Sequence, residues 1–385
     1  MNPATVPTHV RSNVVSRDNL LEIAKFYDEY SHAISFYFSL ASTPDNSHRE
    51  EAIAVGRLIQ EAKDKFAPFP IPPSLASDLE DVLAVAEEIR LSPARLRAVF
   101  ACREKQIWRE FDLPASESIR QLYVGRTFQL VPLIAASQSY GPYCVVLLES
   151  GKARAFVVRG GEIKEFAGRL PSKDLSLHAE DSRVGWSKRI DKNVGEHEKA
   201  YFKNVSHSLL QFMTEQQSSG LLIGCREDLW GEVEPQFTGF EDGVLLGHFH
   251  LPSFAMDEGE VLAMAAPKFL EGQRQRCIAL LDEINESPSR AAMGVSDVLR
   301  NLSEGRAQKL ILSKLPSQTI SECRDCSRMW AEAGHNCIFC SSAEVRYIAA
   351  DEGLIRQALI SDADILMVET DTIPGFSGVA ALLRY

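Results

Sequence analysis

Four cysteines are spaced to hold a metal ion. The run CRDCSRMWAEAGHNCIFC places Cys323, Cys326, Cys337 and Cys340 as two Cys-x-x-Cys pairs with ten residues between them. Two intervening residues let both thiolates of a pair converge on one ion, and two such pairs complete a tetrahedral zinc site. A full set of four thiolates leaves no open coordination position, so the Zn2+ this spacing predicts is structural and not catalytic. It would staple a long insertion between one strand and the next helix, with Trp330 packed over it. His335 inside the loop is the weaker ligand, and the competing reading is a set of reduced, metal-free thiols.

A second stretch points to different chemistry. RVGWSKR, from Arg183 to Arg189, holds one glycine, one tryptophan and three cations. Glycine frees the backbone, an indole can stack on a base, and the cations suit phosphates. From Arg183 to Lys203 six cations (Arg183, Lys188, Arg189, Lys192, Lys199, Lys203) face three carboxylates (Asp191, Glu196, Glu198), in a chain whose net charge is -12. This local inversion makes Arg183, Trp186, Lys188, Arg189 and Lys192 the candidate RNA contacts. The other reading is a solvated helix start with Trp186 folded onto its own domain.

Other combinations carry less. His248 and His250 in GHFHL would share one side of a strand, but a metal needs a third ligand in reach. Ser187, His178 and Asp181 lie near one another in sequence without the nucleophile-elbow pattern of a hydrolytic serine. VRGGE, from Val158 to Glu162, reads as a hairpin turn, because no Lys-Ser/Thr follows its glycines.

The elements that would position these residues fall into three segments. The chain has 385 residues, 45% hydrophobic and 24% charged, which suits two or three globular domains. Leu20, Ile23, Ala24 and Tyr27 recur at helical spacing, HAISFYFSL alternates like a strand, and EEAIAVGRLIQEAKDKF returns to helical spacing. The insertion FAPFPIPPSLASDLEDVLAVAEEIRLSP reads as a proline-bounded helix, and LRAVFACREKQIWREFDL as a strand pair. Residues 1–140 thus form an α/β N-terminal domain, ending at the linker-like SQSYGPY.

YCVVLLESGKARAFVVRGGEIKEF then predicts three strands, EHEKAYFKNVSHSLLQFM a helix and GLLIGC a buried strand, giving a second domain over 141–255. In 256–385, GQRQRCIALLDEIN predicts a long helix. Ser296 is expected to cap DVLRNLSEG, whose Gly305 closes the helix before the strand KLILS, and LIRQALISDADILMV repeats the helix-then-strand order.

The acidic balance argues against a protein coated in nucleic acid, and DNA is not expected as a partner. No run approaches a bilayer span, the first residues lack the apolar core of a secretory signal, and Cys102, Cys144, Cys225 and Cys277 are scattered as buried thiols would be. The cytoplasm is the expected compartment, with no membrane partner.

GVSDVLRNLSEGRAQKLILS and the terminal PGFSGVAALLRY resemble the signature stretches of the third domain in archaeal and eukaryotic class-one peptide release factors and Pelota. Gly375, Phe376, Gly378, Leu383, Arg384 and Tyr385 match the family's closing phrase, with Ser377 in place of one glycine. The branch it resembles most is the bacterial and archaeal release-factor-like one. The resemblance implies an α/β multidomain chain: an α/β N-terminal domain, a ribonuclease-H-like middle domain, and an αβα sandwich C-terminal domain that carries the zinc-binding insertion and docks protein partners. It also implies the ribosome and tRNA as partners.

In that family a Gly-Gly-Gln loop of the middle domain serves hydrolysis of peptidyl-tRNA. RVGWSKR sits in the corresponding place, so the resemblance makes Gly185, Trp186, Ser187 and Lys188 the candidate catalytic loop. Val184 stands for the first glycine and Lys188 for the glutamine. The first domain has no Asn-Ile-Lys-Ser motif, so the resemblance does not extend to stop-codon reading. Three functions follow: a ribosome-rescue peptidyl-tRNA hydrolase, a non-catalytic Pelota-like ribosome- or RNA-binding factor, and a translation modulator acting through a protein partner of the third domain.

Overall fold

The computed structural model describes residues 10–12, 15–39, 48–66, 70–88, 95–114, 119–139, 142–159, 161–166, 187–216, 218–240, 243–313, 315, 318–368 and 376–384. It is a mixed α/β protein with several sheets, and it separates into two compact units, residues 1–140 with 277–385, and residues 141–276. The division falls within the helix Glu258–Glu286.

The first unit holds three sheets. Its five-stranded sheet runs Val10–Ser12, Ile107–Pro114, Arg95–Cys102, Ala33–Ser39, Arg120–Gly125 from edge to edge. The strand Ala33–Ser39, next to the edge strand Arg120–Gly125, is buried at every position and does not show the one-sided alternation expected of it. The reason is that both faces are covered. Ile34, Phe36 and Phe38 pack against Val55 and Ile59 of helix His48–Asp64 and Leu75, Leu79 and Val82 of helix Pro73–Glu88. Tyr37, on the other face, joins Leu20 and Ile23 of helix Arg17–Ala24 and Leu354 and Ile355 of helix Ala350–Ile360 in one core. Each such fully buried large side chain contributes about 1.5–3 kcal/mol. Tyr27 lies beyond the first helix, which ends at Ala24, although it keeps that helix's spacing.

The C-terminal segment supplies a four-stranded sheet, Ala291–Met293, Val379–Leu383, Ala307–Ser313, Asp364–Val368. Leu310 and Leu312 face helices Val295–Ser303 and Ala350–Ile360, and Ile311 faces Leu280, Leu281 and Ile284. Helix Val295–Ser303 begins at Gly294 (φ 77°), and not at Ser296, which sits inside it without capping. Gly305 (φ 69°) does close this segment. Gly378 has φ 95°, and a Cβ there would lie 2.9 Å from Leu315 Cδ2 and 3.0 Å from Ser313 Oγ. Glycine is thus required where the last strand docks through Ser313 N–H to the Gly378 carbonyl at 2.8 Å. Arg384 then ties the strand's end down, its N–H bonded to the Arg306 carbonyl at 2.8 Å. Gly375 and Tyr385 lie outside the described residues. The SQS expected in a linker is helical, since the helix Val131–Ser139 runs through it.

The second unit is built on a five-stranded sheet, Leu245–His250, Gly220–Cys225, Tyr143–Glu149, Lys152–Arg159, Glu162–Glu165. The first three strands run parallel, and the last two join as antiparallel hairpins. Cys144, Val146 and Leu148 pack on Phe202, Val205 and Leu209 of the helix Ser187–Glu215. Tyr143, Val145 and Leu147 pack on Val261, Ala265 and Phe269 of the helix Glu258–Glu286. Burial on both faces is why YCVVLL and GLLIGC read as unbroken apolar runs.

Candidate metal centre and basic loop

The four cysteines meet. Strand Thr319–Cys323 pairs with Met329–Trp330 on one side and Val345–Ala349 on the other, forming a small sheet inserted between Ala307–Ser313 and helix Ala350–Ile360. Each knuckle turns on a non-glycine residue in the left-handed region, Ser327 (φ 56°) and Ser341 (φ 62°), and each turn's N–H returns to a cysteine carbonyl, that of Cys323 or Cys337, at 2.9 Å. The four Sγ atoms lie within 4.8 Å of one another, with Cys323–Cys340 and Cys326–Cys337 at 3.6 Å. Tetrahedral zinc with Zn–S near 2.3 Å places its sulfurs roughly 3.8 Å apart. The residues fit: this cluster can hold a metal ion, and thiolates in this number suit zinc.

Burial pushes the Cys337 thiol up, but backbone N–H groups of Cys340 and Phe339 outweigh it and hold the thiol down at about 7, which favours the thiolate a metal takes. Trp330 packs against Cys323 and Cys337, as expected from the sequence. The other four cysteines, Cys102, Cys144, Cys225 and Cys277, are buried.

The basic loop is placed less completely. Arg183, Gly185 and Trp186 lie outside the described residues, as does Val184. Ser187 opens the helix Ser187–Glu215, with Lys188, Arg189 and Lys192 in its first turns. His248 stacks on Trp230 (4.0 Å between centroids) and lies 3.7 Å from Glu227, while His250 is exposed. Among the described residues, the four cysteines are the one group of metal-ligating side chains brought together.

A further cluster escaped the sequence reading. Glu352, in the first turn of helix Ala350–Ile360, accepts from Leu130 N–H and Val131 N–H at 2.8 Å, and so caps the helix Val131–Ser139. Burial raises its carboxyl to about 7 against the opposing pull of these backbone donors. One turn on, Arg356 is 4% exposed, and burial pulls its pKa down. Its Nη1 lies 3.6 Å from the Glu322 carboxylate, which also binds Arg346 at 2.6 Å. Glu352 and Arg356 share a sequence with many ordinary surface charges, and only long-range packing distinguishes them.

Residues 129–269 match the model of Bacterial archaeo-eukaryotic release factor family 10. The match lies in the middle of the chain and makes that stretch similar to bacterial release-factor-like proteins. No curated protein matches the chain. Among solved structures it is similar to Archaeoglobus fulgidus Pelota (14% identity, 96% of this chain and 92% of that one, TM-score 0.31). It is also similar to S. cerevisiae Dom34, a translation termination-like factor (11%, 96% and 91%, TM-score 0.39). The C-terminal domain of a Methanosarcina mazei peptide chain release factor aligns at 25% identity over 34% of this chain and 97% of that one, TM-score 0.24. Among the described residues no helix is long and apolar enough to cross a membrane.

Proposed function

We propose that this protein is a cytoplasmic ribosome- and tRNA-binding factor whose contact with RNA centres on Arg183, Trp186, Lys188, Arg189 and Lys192, and which hydrolyses peptidyl-tRNA weakly or not at all. The observation that carries this reading is the family match over 129–269, which contains the whole basic stretch. The three-segment division at 140 and 255 accompanies it, with a ribonuclease-H-like middle segment and an αβα sandwich in the last. The four-cysteine cluster serves as a structural zinc site in that last segment, whose surface docks a protein partner.

The chemistry explains the expected weakness. Ester hydrolysis at the end of peptidyl-tRNA needs a backbone that enters a confined centre and a donor aimed at the developing oxyanion. A backbone N–H donor survives substitution and can contribute on the order of 3–4 kcal/mol. Val184, however, narrows the conformations open to the loop, and a solvated ammonium at Lys188 places water poorly. Those two substitutions favour a binder over an enzyme.

The test is sedimentation with ribosomes and subunits across a salt series, alongside peptidyl-tRNA hydrolysis on stalled ribosomes. Reversing charge at Arg183, Lys188 and Arg189 should weaken binding and lower the log–log salt slope by about 2 to 3. Lys188→Gln should raise any hydrolysis, and Gly185→Arg should abolish it. A triple variant that binds like the parent at every salt concentration would make the stretch a solvated helix start. A robust rate surviving both Gly185→Arg and Lys188→Ala would place the chemistry elsewhere.

A further inference from the structure

A cavity of about 360 Å³ in the first unit is lined by Tyr27, Arg126, Arg324, Arg346, Tyr347 and Arg356, among others. Four guanidiniums around one cavity is an arrangement that repels itself unless anions answer it. The carboxylates present answer it in part. Glu322 serves Arg346 and Arg356 together. Arg324 reaches Glu29 at 3.1 Å and Glu344 at 3.3 Å. Arg126 donates to the Ser31 carbonyl at 2.9 Å, an uncharged acceptor. Glu352, the carboxylate in the lining itself, accepts from Leu130 and Val131 N–H.

Two atoms in the lining point to a missing acceptor. Arg356 Nε and Tyr27 Oη are buried and have no hydrogen-bond partner among the described residues. A buried donor left unmade costs about 1–3 kcal/mol, more when charged, so such atoms call for a partner. The Tyr27 ring is meanwhile held in place, with the Arg346 guanidinium 4.0 Å over its centroid and that of Arg324 at 5.9 Å. The lining therefore offers fixed donors aimed at the cavity. Arginine forks match the geometry of tetrahedral oxyanions, and the volume exceeds what a bare ion fills. Tyr347, 51% exposed, and Ile348 give the rim an apolar side against which a planar group can lie.

We propose that this pocket binds the phosphate group of a small phosphate ester of nucleoside-monophosphate size. Arg126, Arg346 and Arg356 take the phosphate, with Tyr27 Oη donating to one of its oxygens. The site draws on the first 140 residues, the cysteine-bearing insertion and the helix Ala350–Ile360.

Calorimetric titration of the full chain with inorganic phosphate and with adenosine 5′-monophosphate tests it, sulfate serving as a general anion control. Saturable binding is expected for the nucleotide, tighter than for inorganic phosphate and sulfate. Arg126→Gln, at an exposed position, should weaken it roughly tenfold, the scale of one lost charge-assisted contact. Arg346→Gln should weaken it further. Retained folding of Arg126→Gln keeps the test decisive even where Arg346→Gln unfolds the insertion. No saturable binding of phosphate or nucleotide, or binding equally tight in the parent and in Arg126→Gln, would overturn the proposal.

Discussion

The cysteine cluster and the arginine pocket share one compact unit, yet they are assembled in opposite ways. The cysteines come from 18 consecutive residues, Cys323 to Cys340, and two tight turns suffice to bring their sulfurs together. The pocket takes Tyr27 and Arg126 from one end of the chain and Arg324, Arg346 and Arg356 from the other. The first is a local object that a bound metal ion would stabilise. The second exists only when the helix Arg17–Ala24 and the helix Ala350–Ile360 are buried in a common core. A short-range motif can thus be read from its spacing, while a long-range one is invisible until the chain has folded.

Metal removal should separate the two most strongly. Ligation of structural zinc is worth roughly 10 kcal/mol or more in small zinc modules. Chelation, or Cys337→Ser, should therefore strip hydrogen-exchange protection from Thr319–Ala349 while leaving Tyr143–Glu149 protected. Because Arg324, Arg346 and Tyr347 sit on the same insertion, phosphate binding should weaken with it. Freshly purified protein with no zinc and four free thiols would remove the metal from this picture. Undiminished phosphate binding in Cys337→Ser would show that the pocket stands without the cluster.

Glu352 tests the long-range side. Its folded carboxyl titrates at about 7, above the ordinary value of 4.5, because burial penalises its charge. The folded state therefore holds this proton where the unfolded chain has released it. The stability it contributes is fully present below the unfolded value and is lost as pH rises through about 7. The swing is on the order of 3 kcal/mol. Glu352→Gln should flatten the urea-unfolding free energy between about pH 4.5 and 7. A parent protein whose stability rises steadily across that window, unchanged by the substitution, would contradict the assignment.

A local cap gives the smallest effect and the control for Glu352. Ser16 Oγ accepts from Asn19 N–H at 3.2 Å, three residues on, whereas Glu352 caps a helix 222 residues away from it. Ser16→Ala should cost about 1 kcal/mol, evenly across pH. A pH-dependent loss at Ser16 would show that the two caps do not differ as local and long-range devices.

The sequence by itself determined the local objects. The strand pair within Arg95–Pro114, the helix over 196–213 (which the structure extends back to Ser187), the buried strand Gly220–Cys225 and the four-cysteine cluster all follow from spacing, because turns and periodicity act over a few residues. It also carried the release-factor resemblance that the family match supports over 129–269. Misreadings fell where neighbours far along the chain decide. Ala33–Ser39 has two buried faces because helices cover both, and Ser296 yields the cap position to Gly294, whose positive φ suits the bend out of Ala291–Met293. Only the tertiary structure made Glu352 a helix cap and gathered arginines from both ends of the chain. A charge has no address in sequence, and its role is set by which distant backbone groups and carboxylates burial brings to it.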